Sequence, residues 1–366
     1  MGMALEAPTW PVITAREAEA VLALFPEAGR LEQLRWHSPR PFSAATLIET
    51  DCGGFVLKRH HHRLRSPAGL VEEHAFMAHL QAAGTAVPEV MTAADGVSAV
   101  AHGDWTYELH RKAPGLDLYR DRQSWTPFLT QDHAHAAGAA LARLHQAARG
   151  FAAGERGPWP LVSSMTILRS CDPLTAAEAY IAARPALASL LADKPWRAEL
   201  ARLFAALADG LAERLNAQPR LWTHNDWHPS NILWSAGGVA CTVFDFGLAA
   251  PTCAAHDLAT AIERSAIPWL ELCDGTEPDV AAALAILAGY RCVVPLTSED
   301  VQTVIRLLPL VHLEFALSEA DYFAGILGDH GLATLAWQDY LLDHADWFLS
   351  RKGQAFLRSL ENGAAG

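Results

Sequence analysis

One short segment of the chain concentrates residue types that are rare elsewhere in it. Residues 224–231 have the pattern His-x-Asp-x-x-x-x-Asn and contain two of the four asparagines of the whole sequence. A Gly-Gly turn and a short β-forming run then lead to residues 245–247, Asp-Phe-Gly. In phosphoryl transfer, a carboxylate orients the attacking hydroxyl group and accepts its proton, while oxygen ligands hold Mg²⁺ on the nucleotide phosphates. The spacing therefore predicts a phosphoryl-transfer site in which Asp226 is catalytic and Asn231 and Asp245 are metal ligands.

The reaction also needs a cation on the α- and β-phosphates, and the chain has only four lysines. Lys58 ends the β-forming run Phe55-Val-Leu-Lys58, and we expect it to supply that cation. A helix that opens at Ser66-Pro67 has an inward stripe consisting of Leu70, Glu73, Met77 and Leu80. An acid on an apolar stripe is unusual. We therefore expect Glu73, and not the neighbouring Glu72, to hold Lys58.

The elements that position these residues divide the chain into a β-rich part and a helical part. Thr14 and Glu17 form a capping box that predicts the start of a helix. Five β-forming runs predict a small antiparallel sheet: Leu31–His37, Ala44–Thr50, Phe55–Arg59, Val97–His102 and Trp105–Leu109. From Asp132 onward, alanine- and leucine-rich patterns predict helices around one β-like island at Leu221–Phe246. We therefore expect an α+β fold with a small lobe at residues 1–110 and a larger, mainly helical lobe at residues 111–366.

These residues together resemble the aminoglycoside phosphotransferase/choline kinase family, a branch of the protein-kinase-like fold. The family signature is H-x-D-x-x-x-x-N followed by an aspartate at the end of the next strand, and it matches His224, Asp226, Asn231 and Asp245. Lys58 and Glu73 resemble the strand-three lysine and the helix-C glutamate of that fold. Residues 141–145 resemble the recurrent L-A-x-L-H helix ending, and residues 256–259 resemble the D-L-A step after the metal loop. The resemblance covers residues 31–260.

The resemblance implies a two-lobed fold with an antiparallel sheet in the N-terminal lobe and a mainly helical C-terminal lobe. It places the catalytic loop at residues 224–231 and the metal loop at residues 245–247. It also implies ATP and Mg²⁺ as cofactors. His224 and Asp257 are expected to support the catalytic loop structurally.

The resemblance further places adenine on the backbone of a hinge at residues 109–115, with Arg111 and Ala113 as the contacting positions. The chain departs from the family pattern at two places. Asn225 stands where the family usually has glycine, and no G-x-G-x-x-G sequence spans the first hairpin. Ser43, in that hairpin, either donates to the β-phosphate or caps a turn.

Three further features near the signature have two interpretations each. His228 either contacts the substrate or phosphate, or hydrogen-bonds the loop backbone. Trp227 either walls the acceptor site or packs in the core beside Trp222 and Trp234. Residues 60–62 are three consecutive histidines, which either bind a metal or lie in a solvated loop. Because adjacent histidines do not converge well on one ion, we expect the solvated loop.

Composition narrows the class of protein. Of 366 residues, 51% are hydrophobic and 19% charged, which suits a chain with a sizeable core. A formal net charge of -13 repels nucleic-acid backbones and anionic bilayers, so neither is expected as a partner. The six cysteines include no C-x-x-C pair, and the N-terminal residues lack a signal-peptide pattern. We therefore expect a reduced, cytoplasmic protein, with its oligomeric state left open.

The expected function is ATP- and Mg²⁺-dependent transfer of the γ-phosphate to a hydroxyl group of a small molecule, similar to aminoglycoside, choline or homoserine kinases. The short stretch between Gly247 and Asp257 leaves no room for a peptide-binding platform, which favours a small acceptor. One alternative is a bacterial serine/threonine protein kinase of the stress response kinase A type, which residues 72–76 and 231–234 resemble locally. The other is a catalytically inactive nucleotide-binding module. No motif identifies the acceptor.

Overall fold

The computed structural model describes residues 8–154, 156–157, 159–272 and 275–364. The strands of the N-terminal part form one antiparallel sheet in the spatial order β1-β2-β3-β5-β4: β1 (Leu31–His37), β2 (Ala44–Thr50), β3 (Gly53–His61), β4 (Val100–His102) and β5 (Trp105–Arg111). This sheet confirms the predicted β-rich part. The bounds of β1 and β2 are those predicted, whereas β3 extends two residues further at each end and β4 is shorter.

The central strand β3 decides which side chains face the site. It pairs with β2 on one side and with β5 on the other, and Lys58 lies opposite Glu108 in the register with β5. Because side chains alternate along a strand, Leu57 and Leu109 point to the other face of the sheet. There they pack with helix α1 (Ala15–Leu22), which begins at the predicted capping box.

Helix α2 (Pro67–Ala82) packs its apolar side away from the sheet. Phe76, Met77 and Leu80 belong to the large apolar core that the later helices form. The Phe76 ring lies 5.9 Å from the Phe246 ring, centroid to centroid. The helix therefore presents its inward residues to the C-terminal part of the chain.

The rest of the chain is mainly helical, as expected. Its α-helices are α3 (Gln131–Ala148), α4 (Pro173–Ala182), α5 (Pro185–Leu191), α6 (Trp196–Leu207), α7 (Leu211–Ala217), α8 (Ala254–Ala266), α9 (Val280–Arg291), α10 (Ser298–Leu307), α11 (Leu313–Tyr322), α12 (His330–Leu335), α13 (His344–Leu349) and α14 (Arg351–Ala364). The backbones of α3 and α9 touch at two glycines: a Cβ atom on Gly138 would lie 2.0 Å from the Ile286 carbonyl oxygen, and one on Gly289 would lie 1.9 Å from that of His135.

The helical run Ser298–Leu327 is long and apolar enough to cross a membrane, but 89% of its most apolar window is buried inside the structure. Such burial is typical of a core helix in a globular protein.

The β-like island forms four very short strands that carry the signature between them. They are β6 (Leu221–Thr223), β7 (Ile232–Trp234), β8 (Ala240–Val243) and β9 (Ala250–Thr252). Strand β6 pairs with β9, and β7 pairs with β8. The loop at residues 224–231 and the segment at residues 244–249 are therefore held side by side.

Candidate active site

One cleft lies between the sheet and the short strands, and it encloses about 890 Å³ with its open mouth included. Its lining includes seven of the residues singled out from the sequence: Ser43, Lys58, His60, Asp226, His228, Asn231 and Asp245. Glu73, Arg111, Ala113 and Trp227 are absent from the part of the lining that the described residues form.

The loop at residues 224–231 is fixed by Asp257, in the first turn of α8. The backbone N–H groups of His224 and Asn225 each donate to the Asp257 carboxylate at 2.8 Å, and His145 Nε2 lies 3.0 Å from it. Burial raises the pKa of Asp257, but the His145 imidazole and these donors lower it below its usual range. The His224 ring adds a second tie, because Nε2 donates to the Phe244 carbonyl at 2.9 Å.

Asn225 fits the loop both by its backbone and by its side chain. Its φ of 60° lies in the left-handed region, which asparagine tolerates better than most residues. Its side-chain oxygen accepts hydrogen bonds from Thr223 and Thr252, and its amide nitrogen donates to the carbonyls of Leu248 and Ala250. The asparagine therefore joins the loop to the segment that follows Asp245.

Asp226 is held by three neighbours. Asn231 Nδ2 donates to its Oδ2 at 2.9 Å, His228 Nε2 lies 3.5 Å from its Oδ1, and Arg264 forms an ion pair with it. A carboxylate can accept about four hydrogen bonds, so these contacts orient the group and leave room for a hydroxyl donor. The sequence patterns did not identify Arg264 as a site residue. It lies seven residues after Asp257 on α8, which puts the two side chains on one helical face.

Asn231 and Asp245 meet because β7 and β8 pair, with Ile232 opposite Val243. The Phe244 amide donates to the Asn231 carbonyl at 3.1 Å. The side-chain nitrogen of Asn231 is directed at Asp226, which leaves its side-chain oxygen for another partner. Asp245 keeps 43% of its side chain exposed. An amide oxygen and a carboxylate are the hard ligands that Mg²⁺ prefers, so this pair fits the ion.

Lys58 reaches across the cleft. Its Nζ lies 3.2 Å from Asp245 Oδ1 and 3.4 Å from Glu108 Oε1. Burial lowers the pKa of Lys58, but the carboxylates of Asp245, Glu108 and Glu73 outweigh that effect and raise it. Against desolvation, which raises it, the Lys58 ammonium lowers the pKa of Asp245. Both groups are therefore charged at neutral pH.

The expected pair between Lys58 and Glu73 is wrong. Glu73 Oε2 lies 2.5 Å from Arg156 Nη2 instead. The physical reason is the packing of α2, which faces the C-terminal part, whereas Glu108 lies directly opposite Lys58 in the sheet.

Two buried arginines support the backbone after Asp245, and no sequence motif marks either of them. Arg65 and Arg156 each donate to the Gly247 carbonyl at 3.0 Å. Arg65 also donates to the Leu161 carbonyl at 2.6 Å. Desolvation lowers the pKa of Arg65 to about 10, so it remains charged at neutral pH. The metal loop thus rests on two cations that bind its carbonyl oxygen.

Two of the residues with open interpretations are buried, and each packs against neighbours inside the protein. Trp227 is 1% exposed and packs edge-on against His224, with the ring centroids 5.6 Å apart, so its role as a wall of the acceptor site is wrong. His60 lies in β3, is 7% exposed, and its Nε2 is 2.9 Å from Glu108. The expected solvated loop is therefore wrong for His60, because β3 continues through it and turns its ring inward.

The hinge offers fewer backbone donors than expected. The Arg111 amide already donates to the Glu89 carbonyl at 2.8 Å, so the expected main-chain contact of Arg111 with adenine is wrong for that N–H group. The Lys112 amide donates to the Gly54 carbonyl at 2.9 Å. Within the described ranges, the Ala113 amide has no backbone acceptor.

Comparisons with known proteins agree with the geometry of this cleft. The sequence model of the phosphotransferase enzyme family matches residues 42–296. A curated homoserine kinase from Zymomonas mobilis is 24% identical over 312 residues, which cover 84% of this chain and 87% of that protein.

Solved structures of small-molecule kinases share the fold. An aminoglycoside phosphotransferase from Alicyclobacillus acidocaldarius superposes with a TM-score of 0.56 at 20% identity, covering 96% of each chain. An amicoumacin kinase in complex with AMP-PNP and Ca²⁺ superposes with a TM-score of 0.54 at 16% identity, covering 95% of this chain and 93% of the other. The protein-kinase-like fold expected from the sequence is confirmed.

Proposed function

We propose that this chain, which belongs to the phosphotransferase enzyme family, transfers the γ-phosphate of ATP to a hydroxyl group of a small molecule. One observation carries the proposal: Lys58, Asp226, Asn231 and Asp245 line a single cleft. A base, two oxygen ligands and a cation are the groups that phosphoryl transfer requires. All four positions hold a chemically competent side chain, which argues against an inactive nucleotide-binding module.

The roles follow from the contacts. Asp226 receives the acceptor hydroxyl and takes its proton, while Arg264 and Asn231 fix the carboxylate in place. Lys58 leaves Asp245 to bind the α- and β-phosphates. Asp257 and His224 hold the loop without touching the reacting atoms. The Ala113 amide is the hinge donor for adenine, and Ser43 lies where it can donate to a phosphate oxygen.

Asn231 and Asp245 would hold Mg²⁺ through their side-chain oxygens. The bound ion neutralises charge on the β- and γ-phosphates. Support for a nucleotide cofactor comes from the amicoumacin kinase, whose structure contains AMP-PNP and a divalent cation. Asp245 is exposed to the cleft, and the Lys58 ammonium compensates its charge.

The acceptor is a small molecule and not a protein in this proposal. Phe42, next to the cleft, packs against Tyr322 and Phe323, with ring centroids 5.5 and 6.2 Å apart. Arg63 donates to the Gly325 carbonyl at 2.7 Å. These contacts join the β1–β2 loop and the loop after β3 to the end of α11 and the residues that follow it, beside the cleft that Phe42 lines.

The cleft carries both signs of charge beside the proposed base. Its lining includes Arg40, Arg264 and Glu319. A molecule with an ammonium and a carboxylate group suits such a site, and the curated relative is a homoserine kinase. We therefore place homoserine and related hydroxy amino acids first among the acceptors.

We further propose that residues 1–110 and 111–366 are the two lobes, joined at residues 109–115, and that the protein is cytoplasmic. Residues 1–7 and 365–366 of those ranges lie outside the described part of the chain.

The test is an acceptor panel with Mg-ATP, in which ADP release is measured and the phosphate ester is identified by mass spectrometry. The panel contains homoserine, choline, aminopropanol, an aminoglycoside and a serine/threonine peptide mixture. The proposal expects a phosphate ester on one of the small alcohols. Phosphorylated peptide with no phosphorylated small molecule would favour the protein-kinase alternative and overturn the proposal.

A further inference from the structure

Glu108 is a carboxylate to which neither the sequence nor the resemblance assigned a role. It lies on β5 directly opposite Lys58 of β3, and its side chain is fully buried. Its Oε1 atom is 3.4 Å from Lys58 Nζ. In an antiparallel sheet, directly opposite residues are the strongest side-chain pairs. The register therefore brings an acid to this lysine without help from any helix.

Three histidines surround the Glu108 carboxylate and form what we call the histidine collar: His60, His74 and His110. Their Nε2 atoms lie 2.9, 2.7 and 2.8 Å from its oxygens. They come from β3, α2 and β5. Burial alone would raise the pKa of Glu108, but Lys58 and the collar hold it well below the usual range. A buried carboxylate with this many donors stays ionised and fixed.

Glu73, the acid on α2, has a different partner. Arg156 Nη2 lies 2.5 Å from its Oε2, and Arg156 Nη1 donates to the carbonyls of Gly247 and Ala249 at 3.0 and 2.6 Å. Within the described ranges, the ion pairs of Lys58 are those with Glu108 and Asp245. Glu73 is thus connected to the backbone that follows Asp245.

We propose that Glu108, held by the histidine collar, is the positioning residue of Lys58, and that Glu73 positions the metal loop through Arg156. The task of Lys58 on the phosphates rests on the proposed function, whereas its anchoring does not. Lys58 and Glu108 belong to one sheet, and α2 contributes only one of the three collar histidines, His74. A shift of α2 acts on Gly247 and Ala249 through Glu73 and Arg156, and on Glu108 through His74. Glu108 and Glu73 therefore each position one part of the site, whereas the resemblance pairs Lys58 with Glu73 alone.

The test measures the pKa of Lys58 by competitive acetylation with trace acetic anhydride across a pH series, read by peptide mass spectrometry. Burial lowers the pKa of the Lys58 ammonium, and the carboxylates of Asp245, Glu108 and Glu73 raise it. The other lysines, Lys112, Lys194 and Lys352, serve as internal references. The matched variants are Glu108→Gln and Glu73→Gln, which each remove one buried negative charge.

The proposal expects Glu108→Gln to lower the pKa of Lys58 by about one to two pH units, since a contacting opposite charge is worth that much. Glu73→Gln lowers it by less, because Glu73 makes no direct contact. An equal or larger decrease in Glu73→Gln, or no decrease in Glu108→Gln, overturns the proposal. The labelling needs neither acceptor nor turnover, so its outcome is independent of whether the proposed function holds.

In Glu108→Gln, the new side-chain amide would face the imidazole donors. A second variant is therefore included for the case in which Glu108→Gln does not fold. Glu108→Asp keeps the charge and withdraws it by one methylene group. We expect Glu108→Asp to lower the pKa of Lys58 by a smaller but measurable amount. Circular dichroism checks that the variant is folded. If Glu108→Asp folds and the pKa of Lys58 is that of the unaltered protein, the proposal is also overturned. In activity assays, both Glu108 variants should raise the KM for ATP more than they lower kcat.

Discussion

Lys58 Nζ lies 3.2 Å from Asp245 Oδ1, so a strand of the sheet contacts the proposed metal ligand across the cleft. The ammonium group neutralises a carboxylate that would otherwise face Glu108 with like charge. In the proposed function, Lys58 binds phosphate and Asp245 binds Mg²⁺. The contact holds the two side chains together in the cleft, where the proposal needs both.

If Asn231 and Asp245 hold the ion, replacing either by alanine raises the Mg²⁺ concentration needed for half-maximal activity. Asp245→Ala should cost about 10²-fold or more in kcat, because a full charge at the transferring phosphate is lost. Asn231→Ala should cost less. The measurement is a Mg²⁺ titration of the initial rate for both variants and for the double variant. Because the two residues share one ion, the losses should be non-additive. Strict additivity with an unchanged Mg²⁺ dependence would mean that both are structural.

Asp257→Asn should lower the thermal stability and the activity together. The buried carboxylate binds two backbone amides and His145, and an amide NH₂ would face one of those donors. Breaking such a buried charged network costs about 3 kcal/mol. Thermal unfolding measures the loss. The matched control is Asp279→Asn, since Asp279 caps α9 and asparagine caps equally well. Equal melting temperatures for the two variants would contradict the bracing role of Asp257.

Asn225 can be tested against the glycine that the family usually carries. Asn225→Gly keeps the positive φ but loses the side-chain hydrogen bonds, and we expect about 1–3 kcal/mol of destabilisation. Asn225→Ala should cost about 1–2 kcal/mol more, because alanine is strained in the left-handed region. Denaturant unfolding of the two variants gives both numbers. A glycine variant as stable as the unaltered protein would show that the side-chain bonds contribute nothing.

The buried carboxyl group of Glu263 should make the free energy of unfolding depend on pH. Burial raises its pKa to about 7, from an ordinary value of 4.5. Between these values the folded state binds more protons than the unfolded state, so stability falls as the pH rises through this window. The total effect is at most about 3 kcal/mol. Glu263→Gln should therefore be more stable than the unaltered protein at pH 8 and similar to it at pH 4.5.

Buried His312 and His344 titrate in the opposite sense below pH 6.5, because desolvation lowers the pKa of each. Glu263 lies 3.3 Å from His344 and acts on His312, so the difference between the variant and the unaltered protein reports these three groups together. Thermal unfolding from pH 4.5 to pH 8 gives that difference. A constant difference across the series would contradict a protonated Glu263.

The sheet and the placement of the signature followed from the sequence because each depends on local patterns. Strands β1 and β2 are short runs of β-forming residues, β2 alternates buried and partly buried residues, and the turn at Asp51-Cys52 connects β2 to β3. The loop around Asp226 has few residues and short flanking strands, so spacing alone brings Asn231 and Asp245 together. Helix α8 was not predicted, although its Asp257 was identified from the resemblance.

The partners of the charged residues could not be predicted, because they depend on tertiary packing. Nothing local distinguishes Arg156 or Arg264 from the other arginines of the chain, yet they bind Glu73 and Asp226. Glu73 lies on the apolar stripe of α2 as expected, but its partner Arg156 comes from a distant loop that no local pattern locates. The side chain of α2 that reaches the sheet is His74, whose Nε2 lies 2.7 Å from Glu108 Oε2. His60 was expected in a loop because residues 59–62 are all polar. The strand β3 nevertheless continues to His61.

The central claim is that Asp226 receives the acceptor hydroxyl in an ATP-dependent transfer, and single-turnover phosphorylation of the preferred acceptor by Asp226→Asn tests it most directly. The variant keeps the shape and both metal ligands, so ATP binding measured by calorimetry should stay within about twofold. Loss of the base should slow the transfer step by about 10²- to 10⁴-fold. Asp209→Asn, at an exposed turn residue, is the control and should react normally. Transfer by Asp226→Asn at the rate of the unaltered protein would contradict the account.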